Sequence, residues 1–306
     1  MTPDPRDGSF LVPDGTPPDR LDRVLKGFRP SLSWAQVRDL VARGKVQVDG
    51  RLAKDEGIRV AAGSKIEVNV GAARLPSAAS APVPALERER VVFADRHVVV
   101  VDKPAGLDSV PWGDATDALD RRLAQLLGCR IHVVHRLDRD TTGLLMFART
   151  EEAAGKLEHQ LRRHTVHRRY LALAHGEVQA AVIRSFLAED RGDGLRGSVT
   201  NPKLGKEAVT HVQPIEFFRD ATLVSCQLET GRTHQIRIHL AEQGHMLLGE
   251  RGYVREHRGP ALQAPRILLH AAELGFVHPV SGAPLKFALP LPADMQAVIA
   301  QLAPRV

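Results

Sequence analysis

The 306-residue sequence predicts an α+β protein built as one large core with a small additional unit. Three observations lead there. Apolar runs of strand length and stretches of helical apolar spacing are intermixed rather than strictly alternating. No segment recurs at a fixed period, which argues against a solenoid. An Ala-, Pro- and Ser-rich stretch over residues 71–85 separates a short basic segment from a much longer remainder.

Taken in order, residues 1–19 hold Pro3, Pro5, Pro13, Pro17 and Pro18 without apolar periodicity and predict a flexible arm. A folded module is expected over 20–70. Leu21, Val24, Leu25 and Phe28 recur at helical spacing, and a second helix is expected from Trp34 to Arg43, with Ser33 as N-cap and Gly44 as stop. Val46 and Val48 alternate, Asp49-Gly50 signals a tight turn, and Ile66, Val68 and Val70 alternate again as a strand. Residues 71–85 read as a linker and 86–306 as the main domain. There, Val91–Phe93 and Val98–Val101 predict strands, and Asp117–Leu127 and Glu152–His164 predict helices, the latter with Ala153, Leu157 and Leu161 on one face. Arg168–Leu173 reads as a strand with Tyr170, Ala172 and Ala174 on one face, and Arg266–Ala271 as a buried strand. Thr233 is expected to cap a short helix ending at Gly244.

The formal net charge is +6, and between Arg20 and Val70 eleven Lys and Arg stand against six Asp and Glu, so this module carries +5 of it. Such concentration suits a polyanionic partner, the plain alternative being a solvated basic face. No run of about twenty apolar residues is present to span a bilayer, and the Pro- and Asp-rich start lacks the layout of a signal peptide. The expectation is a cytoplasmic protein without a membrane partner. Cys129 and Cys226 make neither a disulfide framework nor a thiolate metal site, and read as small buried side chains.

Chemistry is concentrated in Val133–Phe147, where charges and hydroxyls lie between two apolar runs. Val133-Val134 and Leu144–Ala148 read as buried strands and the polar block with Gly143 as the turn between them, so a carboxylate is carried on rigid supports. Flanking Arg136 and Arg139 favour the ionised form of Asp138. A structural ion-pair loop would look the same.

The run His135-Arg136-Leu137-Asp138 and its continuation to Phe147 closely resemble the signature of the RluA family of pseudouridine synthases. The resemblance extends from about Val91 to the end. It implies the pseudouridine synthase fold, with a central mixed, mainly antiparallel sheet flanked by helices. It also implies Asp138 as the catalytic carboxylate, acting either on the sugar carbon or on its 2′ proton, and Arg136 as the side chain that evicts the target nucleotide. Tyr170 would stack on the uracil. Within Thr230-Gly231-Arg232-Thr233-His234-Gln235-Ile236-Arg237-Ile238-His239, Arg237 would pair with Asp138 through its planar bidentate fork, and Ile238 would wall the uracil pocket. His135 and Arg232 would add substrate contacts. Lys103-Pro104-Ala105-Gly106 is a family-like turn, and Gly249-Glu250 stands where Gly-Asp is usual. The 20–70 module resembles the alpha-L RNA-binding motif, so with Trp34 beside its helix cap it implies a structured RNA partner.

The implied activity is isomerisation of uridine to pseudouridine by a monomer with no cofactor, large-subunit ribosomal RNA being the expected substrate and transfer RNA the alternative. Two other classes compete. His132, His135 and Asp138, spaced three apart, would serve a metal-dependent hydrolase, although a turn does not hold the helical spacing this needs. A non-catalytic RNA-binding factor would have no need of Asp138, Tyr170 and Arg237 together.

Overall fold

The structure is a computed structural model describing residues 7–53, 57–71, 84–111, 117–191, 195–259 and 261–304. The chain divides into two compact units, one formed chiefly by the first 82 residues and the other by most of the remainder. The proposed 71–85 linker lies almost wholly outside the described residues.

In the smaller unit, strands β1 (Gly8–Leu11), β2 (Asp19–Arg20), β3 (Val46–Val48), β4 (Arg51–Leu52), β5 (Arg59–Val60) and β6 (Lys65–Val68) accompany helices α1 (Leu21–Phe28) and α2 (Trp34–Ala42). β1, β6, β3 and β4 form one sheet in that order, and β2 pairs with β5. Helix α2 starts where expected because Ser33 and Gln36 close a capping box, each side chain accepting the other's backbone N–H. Asp49 and Gly50 both have positive φ, as the Asp-Gly hairpin between β3 and β4 requires. Leu21, Leu25, Val37, Val41, Val46 and Ile66 make the core, each such side chain adding ~1.5–3 kcal/mol on burial. Trp34 is outside this core, half-exposed, with the Lys26 ammonium 6.0 Å from its ring.

The flexible-arm expectation is corrected for part of its length. Gly8–Leu11 pairs antiparallel with β6, Phe10 stacks on Phe28, and Val12 is buried. This strand has its partner far along the chain, so its short alternation among prolines carried no recognisable local signal.

The larger unit contains β7 (Val91–Ala94), β8 (Val98–Lys103), α3 (Leu119–Leu127), β9 (His132–Val133), β10 (Thr142–Ala148), α4 (Glu151–Arg162), β11 (His167–His175), β12 (Ala181–Ala188), β13 (Gly197–Val199), β14 (Lys206–Phe217), β15 (Ala221–Leu228), α5 (Gln235–Glu242), β16 (Leu269–Val277), β17 (Pro284–Ala288) and α6 (Ala293–Ile299). Its sheet runs β13-β12-β14-β15-β11-β16-β10-β8-β7, with β17 on β16 and β9 on β10. It is mixed and mainly antiparallel, as expected; β10 and β16 run parallel. The strand expected from Arg266 begins instead at Leu269, with Arg266 in the preceding turn.

β10 is buried at every position, which explains its unbroken apolar run. Leu145 and Phe147 pack on one face with Leu119 and Leu123 of α3 and with Ile236 and Leu240 of α5. Leu144, Met146 and Ala148 pack on the other with Ala153 and Leu157 of α4. Thr150 caps α4 by accepting the N–H of Ala153. Among the described residues no helix is long and apolar enough to cross a membrane.

Gly143 fixes where the Asp138 turn enters the sheet. Its φ is +106°, and a Cβ there would fall 2.3 Å from the Ala271 carbonyl oxygen on β16. We predict that Gly143→Ala lowers stability by at least ~2 kcal/mol, the order of a forced positive φ with an added backbone clash. Urea denaturation measures it, and an unchanged midpoint would show that the two strands can separate freely.

Candidate active site

The polar segment between β9 and β10 turns back on itself, the Thr141 N–H donating to the Asp138 carbonyl at 3.0 Å. Several of its other backbone groups are met by side chains from elsewhere in the fold. Just before Asp138, Ser109 Oγ donates to the Leu137 carbonyl at 2.7 Å and accepts the Leu137 N–H at 3.0 Å. Just after it, fully buried Lys103 donates to the carbonyls of Arg139 (2.8 Å), Leu107 (2.7 Å) and Pro104 (2.9 Å). Burial draws the Lys103 pKa down to about 8 against the attraction of Asp108, Asp140 and Asp138. Arg266, paired with Asp294, donates to the Asp140 carbonyl at 3.0 Å. Asp138 is thereby bracketed on both sides by buried donors.

Its carboxylate, 20% exposed, accepts one hydrogen bond from Arg237 Nη1 at 3.3 Å. The expected bidentate grip of Arg237 on Asp138 is corrected. The Nε and Nη2 edge of the guanidinium donates instead to Glu250, at 2.7 and 2.9 Å, so that only Nη1 is left for Asp138. The Glu250 side chain is fully buried, and its Oε1 also accepts the N–H groups of Arg251, Gly252 and Tyr253. Burial opposes both charges, but their mutual bonds outweigh it: the Glu250 pKa is lowered and that of Arg237 raised. The turn that delivers Glu250 depends on Gly249, with φ +81° and the Arg266 carbonyl 1.8 Å from where a Cβ would stand.

Helix α5 begins differently from expectation. Its N-cap is His234 in the left-handed region, not Thr233, and no side chain caps it. The turn is held by Gln235, whose Oε1 accepts from Thr230 Oγ1 and the Arg232 N–H while its Nε2 donates to the Val209 carbonyl and Thr210 Oγ1. This places His234 beside the site, with Nε2 3.8 Å from Asp138 Oδ1 and Nδ1 2.7 Å from the Tyr253 hydroxyl. Burial draws the His234 pKa down to about 4, so the imidazole is neutral at pH 7.

A cavity of about 480 Å³ brings together Asp138, His135, Arg136, Tyr170, Arg232 and Arg237, with apolar walls from Leu228, Ile236 and Leu269. Tyr170 is buried on β11, and burial raises its phenol pKa, so it is neutral. Arg136 is exposed. His135 is drawn down to about 3 by burial and then by Arg168, and its Nε2 accepts the Met146 N–H at 3.3 Å. That bond occupies one ring nitrogen. Among the described residues no group of His, Cys, Asp and Glu is arranged to hold a metal. Ile238 is a correction: it points away from the cavity and packs with Leu187, Ala208, Met246 and Tyr253, because it lies on the opposite side of α5 from Ile236. Arg168 also lines the cavity that Tyr170 faces, whereas Arg169 pairs with Glu273.

A protein-family model described as RNA pseudouridylate synthase matches residues 97–242, and an S4 domain model matches 19–66. Over 300 residues the chain is 34% identical to ribosomal large subunit pseudouridine synthase D of Zymomonas mobilis, covering 92% of this chain and 93% of that one. The chain belongs to the RNA pseudouridylate synthase family. The protein of the same name from Nitrosomonas europaea is 37% identical to this synthase over 302 residues, covering 95% and 86% of the two chains. Two solved human structures, RNA Pseudouridylate Synthase Domain Containing 4 and 1, share its fold. Their TM-scores are 0.58 and 0.57, each at 24% identity over 71% of this synthase, covering 95% and 88% of their own chains.

Three side chains around Asp138 escaped the sequence reading of this synthase. His234 lay inside a motif already singled out, but its φ of +59° had no local signal. Glu250 was visible only as an exchange for Asp, and nothing in the sequence singled out Tyr253. We predict that Glu250→Gln, which leaves the buried guanidinium with one carboxylate, destabilises the synthase by about 3 kcal/mol. A urea denaturation midpoint equal to that of the unaltered chain would mean that Asp138 and the backbone hold Arg237 unaided.

Proposed function

We propose that this synthase isomerises uridines in large-subunit ribosomal RNA, with Asp138 as its catalytic residue. One observation carries the assignment of Asp138: its carboxylate faces a cavity shared with Tyr170 while accepting a single donor from a guanidinium already neutralised by Glu250. The substrate class rests on the two named bacterial relatives, which match more than nine-tenths of this chain.

In the reaction the bond between uracil N1 and the sugar C1′ breaks, the base turns, and C5 bonds to C1′; the C5 proton leaves to water while N1 takes one up, so the product is an isomer and no cofactor is called for. Asp138 acts at the sugar from a partly buried position at the cavity wall. Arg237 holds its direction. Tyr170 offers its ring to the freed base, with Leu228, Ile236 and Leu269 completing an apolar surround. Reaching the glycosidic bond requires flipping the nucleotide at roughly a few kcal/mol, which Arg136, exposed at this cavity, offsets by filling the gap. Arg232 and His135 line the same cavity and complete the substrate contacts.

We predict that Asp138→Asn keeps the fold and RNA affinity but abolishes release of tritium from uridine labelled at carbon five. Release at the unaltered rate would remove Asp138 from the chemistry. The 20–70 module is proposed to bind the RNA, because it holds +5 of the formal charge and its 19–66 segment matches the S4 model. A chain beginning near Ala85 is therefore expected to bind ribosomal RNA more weakly. Its log affinity should fall less steeply with log salt, since each lost phosphate contact removes about 0.7–0.9 from the slope. An identical slope after removal would show that the module does not touch phosphate.

A further inference from the structure

Beside the Asp138 cavity lies a second one of about 360 Å³, and Gly231, Arg232 and Thr233 belong to the walls of both. The end of β12 and the turn entering β14 complete it. Arg196, Lys203, Lys206 and Arg232 face it, against one carboxylate, that of Glu189. Glu189 is itself 85% exposed and reaches Arg196 at only 3.5 Å. Neither lysine forms an ion pair with a described residue.

The cavity is built rather than incidental. Gly205 lies so close to β12 that a Cβ would fall 2.8 Å from the carbonyl carbon of Phe186. Ser198 donates its N–H and hydroxyl to Glu242 at the end of α5, and Arg191 pairs with the same carboxylate. The β12–β13 hairpin is thus tied to the helix that presents Arg237, which fixes the second cavity with respect to Asp138.

The shared wall has its own peculiarity. A Cβ on Gly231 would stand 2.5 Å from Arg168 Nη1, so a bare backbone lies against one guanidinium with that of Arg232 next in sequence. Neither arginine has a carboxylate partner among the described residues. Burial lowers the Arg168 pKa, and the neighbouring charge of Arg232 lowers it further. Unpaired cations grouped around a passage favour an anion that passes through it.

We infer that the second cavity binds the backbone phosphodiesters of nucleotides adjoining the target uridine, the strand crossing Gly231–Thr233 on its way from one cavity to the other. This rests on the synthase reading above and adds to it a path for the RNA. Contacts of this kind set the position of the strand without reading its sequence.

The test uses the full-length chain carrying Lys203→Gln and Lys206→Gln together, both exposed positions whose change leaves the core intact. Fluorescein-labelled oligouridine is the probe, titrated across a series of KCl concentrations. The slope of log affinity against log salt is expected to become shallower by about 1.4, two contacts at about 0.7 each for a single strand. Lys203→Arg with Lys206→Arg should restore it. Lys156→Gln, on α4 and paired with Glu152, controls for net charge and should leave the slope alone. An unaltered slope in the double Gln variant, or an equal change in the Lys156 control, overturns the proposal. Tritium release from ribosomal RNA by the unaltered chain separates the two failures: its absence sinks the ribosomal RNA reading, whereas release with an unchanged salt slope sinks the phosphate site alone.

Discussion

The site depends on how one guanidinium is shared. The Arg237 side chain is only 11% exposed, and a cation so far from water needs a carboxylate to hold it there. Had its fork closed on Asp138, two strong donors would have been taken up by the carboxylate proposed to do the chemistry. Glu250 takes the fork instead and absorbs most of the charge, with three backbone N–H groups settling its own. Asp138 is left aimed by one longer bond of 3.3 Å. The arrangement separates two tasks: Glu250 anchors the arginine, and the arginine orients the aspartate. An arginine is suited to this because its planar group offers a second direction once one edge is occupied.

Both carboxylates are positioned against the same short segment, 266–271. Gly143, where the Asp138 turn enters β10, packs on the Ala271 carbonyl. Gly249, immediately before Glu250, packs on the Arg266 carbonyl. Each contact is too close for any side chain, and each has a φ that an L residue resists. Arg266 then returns from that segment to the turn, donating to the Asp140 carbonyl and to Thr142 Oγ1. The separation of Asp138 and Glu250 is therefore set by backbone against backbone, the stiffest contact available in the fold. Arg237, a long side chain, needs only to fill the space so defined.

Much of this was legible where a local rule decides the outcome. β10 was readable because both its faces are covered, and α2 because Ser33 and Gln36 cap it. The Asp49-Gly50 hairpin was readable from its turn chemistry alone. Asp138, Tyr170 and Arg237 do line one cavity, although distant in sequence, because a family-like signature carried that information where periodicity could not. What stayed illegible depends on distant partners. The first strand needs β6, and strands β12 to β15 form a sheet from segments that are only partly apolar. Ile238 and Ile236 were indistinguishable by type, and the phase of α5, set by the side chain of Gln235 rather than by a Thr233 cap, sends them to different cores.

Formal charge and available charge also part company. Counting residues puts the basic excess in the 20–70 module, yet there Arg20 pairs with Asp22, Arg23 with Asp19, Arg43 with Asp39, and Lys65 with Glu67. Lys26 donates to the carbonyls of Pro30 and Leu32, and Arg29 to that of Asp7. These cations are partly engaged in holding their own unit together. In the main domain, where residues 86–306 carry a formal charge of +3, the cations Lys103, Arg237 and Arg266 are likewise occupied. Lys203, Lys206, Arg168 and Arg232, by contrast, have no carboxylate to oppose them among the described residues, and they gather around two cavities with a common wall. An anion responds to the field left after such pairing, not to the residue count. The phosphate path near the chemistry is thus written in which cations remain unpaired, and pairing is a property of the folded chain.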